Sequence, residues 1–342
     1  MTTAMTRRWP AEWEGQGAIW FAWPHNRSTW PGNFASIPAA YAALVRQASE
    51  YLPAKLLAAG PLADQAKRFF AAARDVEMIE IPTNDLWIRD YGPTFVLEGG
   101  DLIGIDWRYN AWGGKYHPHD SDAAAAKAVC AVAGVRCESS PLGLEGGAIE
   151  TDGQGRLLTT PDCVITDSRN PGWTREQISE EFVRRLGVSE IVWVDGGGLE
   201  GDDTDGHIDQ LARFVNPEHV VCAVSSDRND PNREGLERNY RQLVRWGEET
   251  SPRVTIHRME TPPPRFMTGG NRVPESYTNF LMLADRAVLV PTFRHRRYDD
   301  AAMRLLRELL PGRPIIGIDA FDFAWGLGAW HCASQQQPLA GG

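Results

Sequence analysis

No stretch of the 342 residues approaches the roughly 20 consecutive apolar side chains that a membrane helix requires, so no membrane partner is expected. The opening residues, MTTAMTRRWPAEWEGQG, lack the apolar middle of a secretory signal, which makes the cytoplasm the expected compartment. Cysteine is scarce: Cys130, Cys137, Cys163, Cys222 and Cys332 are odd in number, scattered and without a CxxC pair. That pattern fits reduced thiols better than a disulfide framework. Its spacing offers no zinc-type ligand set, and no metal or other cofactor is expected. Positive charge is in deficit, 35 Lys+Arg against 45 Asp+Glu, which disfavours nucleic acid and anionic membranes as partners and permits a cationic ligand. There is no low-complexity tract and no linker: ETPPPRF (260–266) is a short rigid bend followed at once by patterned sequence. GGGLEG (196–201) has glycines but no following helix pattern, so a dinucleotide or phosphate loop is not expected either.

What the chain does have is tryptophan, 13 in all, many beside Gly, Pro or Asp. Core packing accounts for most of them, given the area each buries, and leaves some to wall a pocket. Helical periodicity is read at 36–52, 64–75, 121–134, 174–187, 232–249 and 299–312. In the fourth, Thr174 and Gln177 form a capping box and Gly187 a stop. Between the helices lie short β-type runs, among them AIWFAW, VEMIEI, TFVLE, LIGIDW, EIVWV, VVCAV, VTIHR, TNFLML, AVLVP and PIIGI. Strands and helices alternate at roughly 60-residue intervals, which predicts repeated α/β modules rather than a strand half followed by a helical half.

Four loops combine glycine with an acid, a histidine or an aromatic just past an apolar run. In NDLWIRDYGPTF (84–95), Arg89–Asp90 alone reads as a surface pair, but Trp87 upstream and the Gly92–Pro93 turn favour a fixed acid at a strand's mouth. In LGLEGGAIETDGQG (142–155), Glu145 precedes two glycines, which suit either a tight turn or a close backbone approach to a ligand. In LEGDDTDGHIDQLARFV (199–215), His207 and Asp209 are two apart, so in an extended segment both leave the same face. The fourth, GAWHCASQQQP (328–338), places Cys332 among aromatic and small residues more like an interior than a tail. A lone cysteine is more often a small buried hydrophobe than a reactive group.

WIRDYGPTF, YNAWGG (109–114), LEGGAIETDGQGRLLTT (144–160), DDTDGHIDQLARFV (202–215), NDP (229–231), YTNF (277–280) and HCASQQQP (331–338) resemble, in that order, the signatures of agmatine deiminases. These belong with the bacterial peptidylarginine deiminases in the guanidino-modifying pentein superfamily. The resemblance spans nearly the whole chain. It implies a single catalytic domain over 1–342, a five-bladed α/β propeller of ββαβ-type modules with pseudo-fivefold symmetry, and a site in the central channel. It also implies roles: Cys332 as nucleophile, His207 as general acid and base, Asp90 and Asp209 gripping the guanidinium, and Glu145 holding the histidine. The implied reaction converts agmatine and water to N-carbamoylputrescine and ammonia through a covalent thiouronium, a step toward putrescine.

By the same resemblance Trp87, Trp112 and Asn110 belong to the pocket region, with core packing open for Trp112 and a structural role for Asn110. Asp203, four residues before His207, is expected to meet an amine; Arg108 offers a carboxylate receptor instead, which would suit arginine or a peptidyl arginine. The chain departs from the family pattern at Leu327, Ala329 and Trp330, within GLGAWHC, and at Asp205. Dimers or tetramers are common in the family, so a homo-oligomer is compatible with the resemblance. Some penteins are non-catalytic binding modules; Cys332, His207, Asp90, Asp209 and Glu145 occurring together argue against that role.

Overall fold

The computed structural model describes residues 7–71, 73 and 75–341. Its strands form five sheets, each built on the same plan. An antiparallel pair is followed by a helix, which returns the chain to a third strand lying parallel to the second. Thr94–Glu98 and Asp101–Asp106 pair this way before helix Asp120–Ala133 and strand Arg136–Ser139. Ile149–Thr151 and Arg156–Thr159 precede helix Arg175–Leu186 and strand Glu190–Trp193. Ala212–Asn216 and His219–Val224 precede helix Arg233–Glu249 and strand Thr255–Glu260. Leu281–Leu283 and Ala287–Thr292 precede helix Arg296–Leu309 and strand Ile315–Asp319.

The remaining module joins distant parts of the chain. Gln335–Pro338 pairs antiparallel with Gln16–Ala22, Gln335 lying opposite Trp20. Helix Ile37–Ser49 then leads to the parallel strand Ala54–Leu57, and helix Pro61–Phe70 to a fourth strand, Val76–Ile79. Five ββαβ units are therefore present. Each touches the next, and helix Ile37–Ser49 closes the circuit against Ile315–Asp319. This is the arrangement of the α/β pentein fold.

Local chemistry explains most boundaries. The Thr174 hydroxyl accepts from Gln177 N and the Gln177 side chain accepts from Thr174 N, so the capping box forms as read. Gly187 ends that helix at φ 69°, where a side chain would meet the Arg7 carbonyl oxygen. The helix expected at 64–75 begins earlier, because Pro61 presets the first turn, and ends at Phe70. Positions 72 and 74 of that expectation, like residues 1–6 of the opening segment, lie outside the described residues. Nine of the 13 tryptophans are buried, and Trp20, Trp23, Trp30 and Trp330 are wholly enclosed in the largest apolar cluster. Among the described residues no helix is long and apolar enough to cross a membrane.

Candidate active site

Each module sends the same loop, the one just ahead of its first strand, toward a common point. Asp90 lies in the turn Ile88–Tyr91 before Thr94–Glu98. Glu145 precedes Ile149–Thr151, and His207 and Asp209 precede Ala212–Asn216. Asn279 precedes Leu281–Leu283, and Cys332 precedes Gln335–Pro338. The chemical groups are far apart in sequence because they occupy equivalent places in successive modules.

Gly147 lies at the centre of the cradle. A Cβ there would stand 2.7 Å from His207 Nδ1, 2.8 Å from Asp90 Oδ1 and 3.1 Å from Asp209 Oδ2, so glycine is required by close approach. Its own N–H donates to Asp90 Oδ1 at 3.0 Å, while Trp112 Nε1 donates to Asp90 Oδ2 at 3.0 Å. His207 Nε2 stands 3.3 Å from Glu145 Oε2, and Nδ1 is 3.6 Å from Asp90 Oδ1 without a hydrogen-bond partner. Behind Glu145, the fully buried Arg169 donates Nε to both carboxylate oxygens at 2.9 Å and continues to Asp205 Oδ2 at 2.7 Å.

The thiol of Cys332 meets this cluster through Asp209, whose Oδ2 is 3.5 Å from Sγ. Asn279 holds the loop that carries Cys332. Its Oδ1 accepts the backbone N–H groups of Ala329, His331 and Cys332 at 3.1 to 3.3 Å, and its Nδ2 donates to Sγ at 3.0 Å. Arg89 secures the other side, its Nε donating to the His331 carbonyl at 3.2 Å and its backbone N–H to that of Cys332 at 3.3 Å. Neither Asn279 nor Arg169 stood out in the sequence. Asn279 lies within the YTNF signature and becomes legible once each module is asked for its own group; Arg169 sits in an unremarkable DSRNPG turn.

Burial and charge set the protonation states. Burial lowers His207, but the carboxylates of Asp90 and Glu145 outweigh it and hold the imidazole at about 9. Burial raises Glu145, but His207 and Arg169 more than reverse this, and it stays below the usual range. Burial pushes Asp90 up to about 6 against the attraction of His207, and Asp209 is raised for the same reason. Cys332 is driven well above its ordinary value by burial and by Asp209 and Asp90, with Asn279 opposing. At neutral pH the site therefore holds the Cys332 thiol, the His207 imidazolium and an ionised Glu145, with Asp90 mostly ionised.

A cavity of about 570 Å³ opens onto Cys332 and Asp90. Trp87 and Trp112 line it, Trp87 braced against Trp30 and Phe323 at centroid distances of 5.8 and 5.6 Å. Asp203 also lines it, and its carboxylate accepts the Tyr116 hydroxyl. Asp85 and the buried Asp122 add two further acids that the sequence reading did not single out. Two expectations need correction. Asn110 does not line the cavity: its Oδ1 accepts from Gly113 N at 2.9 Å and its Nδ2 donates to the Ser168 carbonyl, which shapes the turn that carries Trp112. Arg108 is also outside, its guanidinium spent on the carbonyls of Pro141 and Arg169. Leu327, one of the departures noted above, lines the cavity at φ 72°, a backbone region that favours glycine.

An α/β fold with this array of acids, imidazole and thiol defines a pentein. The chain belongs to the Porphyromonas-type peptidyl-arginine deiminase family, whose model matches residues 8–338. It is 32% identical over 354 residues to the agmatine deiminase of Stutzerimonas stutzeri (strain A1501), covering 96% of this chain and 95% of that protein. Among solved structures it resembles an agmatine deiminase of Enterococcus faecalis, with TM-score 0.91, 27% identity and 99% coverage of both chains. It also resembles a cysteine-to-serine variant of the C. jejuni agmatine deiminase with substrate bound, with TM-score 0.91, 27% identity and coverage of 100% and 98%.

Proposed function

We propose that this protein is an agmatine deiminase that converts agmatine and water to N-carbamoylputrescine and ammonia. The observation that carries the choice of substrate is the cavity lining. Asp85, Asp90, Asp122 and Asp203 are there, and among the described residues no Lys or Arg lines it. A ligand cationic at both ends suits that wall, whereas the carboxylate of free arginine finds, among the described residues, no lysine or arginine there and only the imidazoles of His25, His117 and His119.

In the mechanism the flat guanidinium lies against the carboxylates of Asp90 and Asp209, with its carbon facing Cys332 Sγ. Its charge offsets the repulsion those acids exert on a thiolate, so the thiol releases its proton to the solvent of the open cavity as substrate binds. Sulfur attacks the carbon to give a tetrahedral adduct. His207, protonated at Nδ1, gives that proton to the departing nitrogen, and ammonia leaves behind a thiouronium. The neutral imidazole then takes a proton from water, whose oxygen attacks the same carbon. Collapse of the second adduct expels the thiolate, which takes up the hydroxyl proton, and leaves the neutral ureido product. Glu145, itself held by Arg169, stabilises the imidazolium and fixes its ring, while Trp87 and Trp112 exclude bulk water.

The test is ammonia release from a panel of guanidines, with Cys332→Ala as control. Agmatine is expected to be turned over with the highest kcat/KM and the alanine variant to be inactive. Preference for arginine or a peptidyl arginine at equal concentration would overturn the substrate, and turnover by the alanine variant would overturn the nucleophile.

A further inference from the structure

His331 has no step in this chemistry, yet it touches the groups that do. Its side chain is buried, with Nδ1 2.7 Å from Asp209 Oδ2. Its backbone N–H donates to Asn279 Oδ1 at 3.1 Å, and its carbonyl accepts from Arg89 Nε. Nε2 is 3.9 Å from Glu12 Oε1, within a buried lattice in which Glu12 accepts from Arg213 and Arg213 Nε donates to Glu150 Oε2 at 2.8 Å.

Burial, with Arg213 and Arg89 nearby, holds the imidazole well below its ordinary value and keeps it neutral. A neutral imidazole has one N–H; Nδ1 is at hydrogen-bond distance from Asp209 Oδ2 whereas Nε2 stands 3.9 Å from Glu12 Oε1, so the proton belongs on Nδ1. Asp209 Oδ2 is then occupied by His331, whereas Oδ1 is buried without a partner. A carboxylate with one oxygen pinned cannot rotate, and the other oxygen stays available to a ligand N–H. The pinned oxygen is also the one 3.5 Å from Cys332 Sγ, so a donor on it blunts the repulsion felt by a thiolate.

We propose that His331 is a positioning residue: its Nδ1–H locks the Asp209 carboxylate, leaving Oδ1 for the guanidinium and easing formation of the thiolate. The inference rests on the reading of Asp209 as a guanidinium-binding group.

The test compares His331→Asn, which keeps an N–H near the place of Nδ1, with His331→Leu, which keeps bulk alone, and His331→Gln, whose N–H reaches the Nε2 side. kcat/KM for agmatine is expected to fall about 100-fold in the leucine variant, as for a catalytic group displaced by about an ångström. The glutamine variant is expected to behave alike, and the asparagine variant to recover most of the loss. The pH profile of Cys332 alkylation by a haloacetamidine is expected to move alkaline in the leucine and glutamine variants and to return in asparagine. Wild-type activity in the leucine variant, or equal activity and equal alkylation profiles in asparagine and glutamine, would overturn the proposal. If the leucine variant does not fold, the asparagine–glutamine comparison decides. Wild-type protein that turns over no guanidine would sink the reading beneath it; a wild type that does so, with a flat variant series, would sink this inference alone.

Discussion

A single indole sets the acid limb of the expected activity. The proposed grip of Asp90 on a guanidinium requires its ionised form, and burial places it at about 6 despite the bond from Trp112 Nε1. That bond favours the ionised form, so its loss raises Asp90 further. Below pH about 6, kcat/KM for agmatine is expected to fall tenfold per unit. Trp112→Phe is expected to move this limb to higher pH and to lower kcat/KM at pH 7 about tenfold, the scale of one charge-assisted hydrogen bond; a pH–rate profile of both proteins checks it. Residue by residue, the sequence pointed to groups whose chemistry is intrinsic, Cys332, His207 and three acids, and the structure brings them into one cluster. It hid those whose role lies in where a donor points. Asn279 is an ordinary asparagine until its carboxamide is seen spanning three backbone N–H groups and a sulfur. Trp112 is an ordinary aromatic until Asp90 is found beyond its N–H.

Loops and helices answer to different constraints. The loop holding Glu145 and Gly147 is shaped by contact, and Gly147→Ala drives a methyl between His207 and Asp90. Activity is expected to drop at least about 100-fold while thermal unfolding moves little, because displacement of reacting groups costs rate before it costs fold. Helix Arg175–Leu186 is governed by its ends. Thr174→Ala removes the capping bond and is expected to cost about 1 kcal/mol in urea unfolding, with activity unchanged. That helix was legible to within a residue for this reason, its caps being written in the chain, whereas the other long helices were legible from their apolar period alone. The strands that escaped notice, Ala54–Leu57, Arg136–Ser139, Ile149–Thr151 and Arg156–Thr159, have only three or four residues. At that length alternation has no room to show, and pairing with a neighbour decides the conformation. Gln335–Pro338 was hidden differently: a run of glutamines carries no strand pattern, yet Gln335 and Gln336 are buried, one facing Trp20 across the pair and the other accepting from Arg89.

Across the molecule, five similar units each supply a loop, so the site exists only when all of them are seated. The seam between Gln335–Pro338 and Gln16–Ala22 is the join that seats the cysteine. A chain ending at Ser334 is expected to unfold at a lower temperature and to release no ammonia from agmatine, measured by calorimetry and by assay. Repeated strand–helix modules were readable from the alternation of helices and runs, and their ββαβ plan only through the family resemblance; that the first unit borrows its opening strand from residues over 300 positions away was not readable, since nothing local records it. That borrowed strand imposes an order in time. A polypeptide interrupted during synthesis between residues 210 and 334 already contains Asp90, Glu145, His207 and Asp209, but it lacks the strand that anchors the sulfur. Fragments left by such stalled translation are therefore expected to release no ammonia from agmatine.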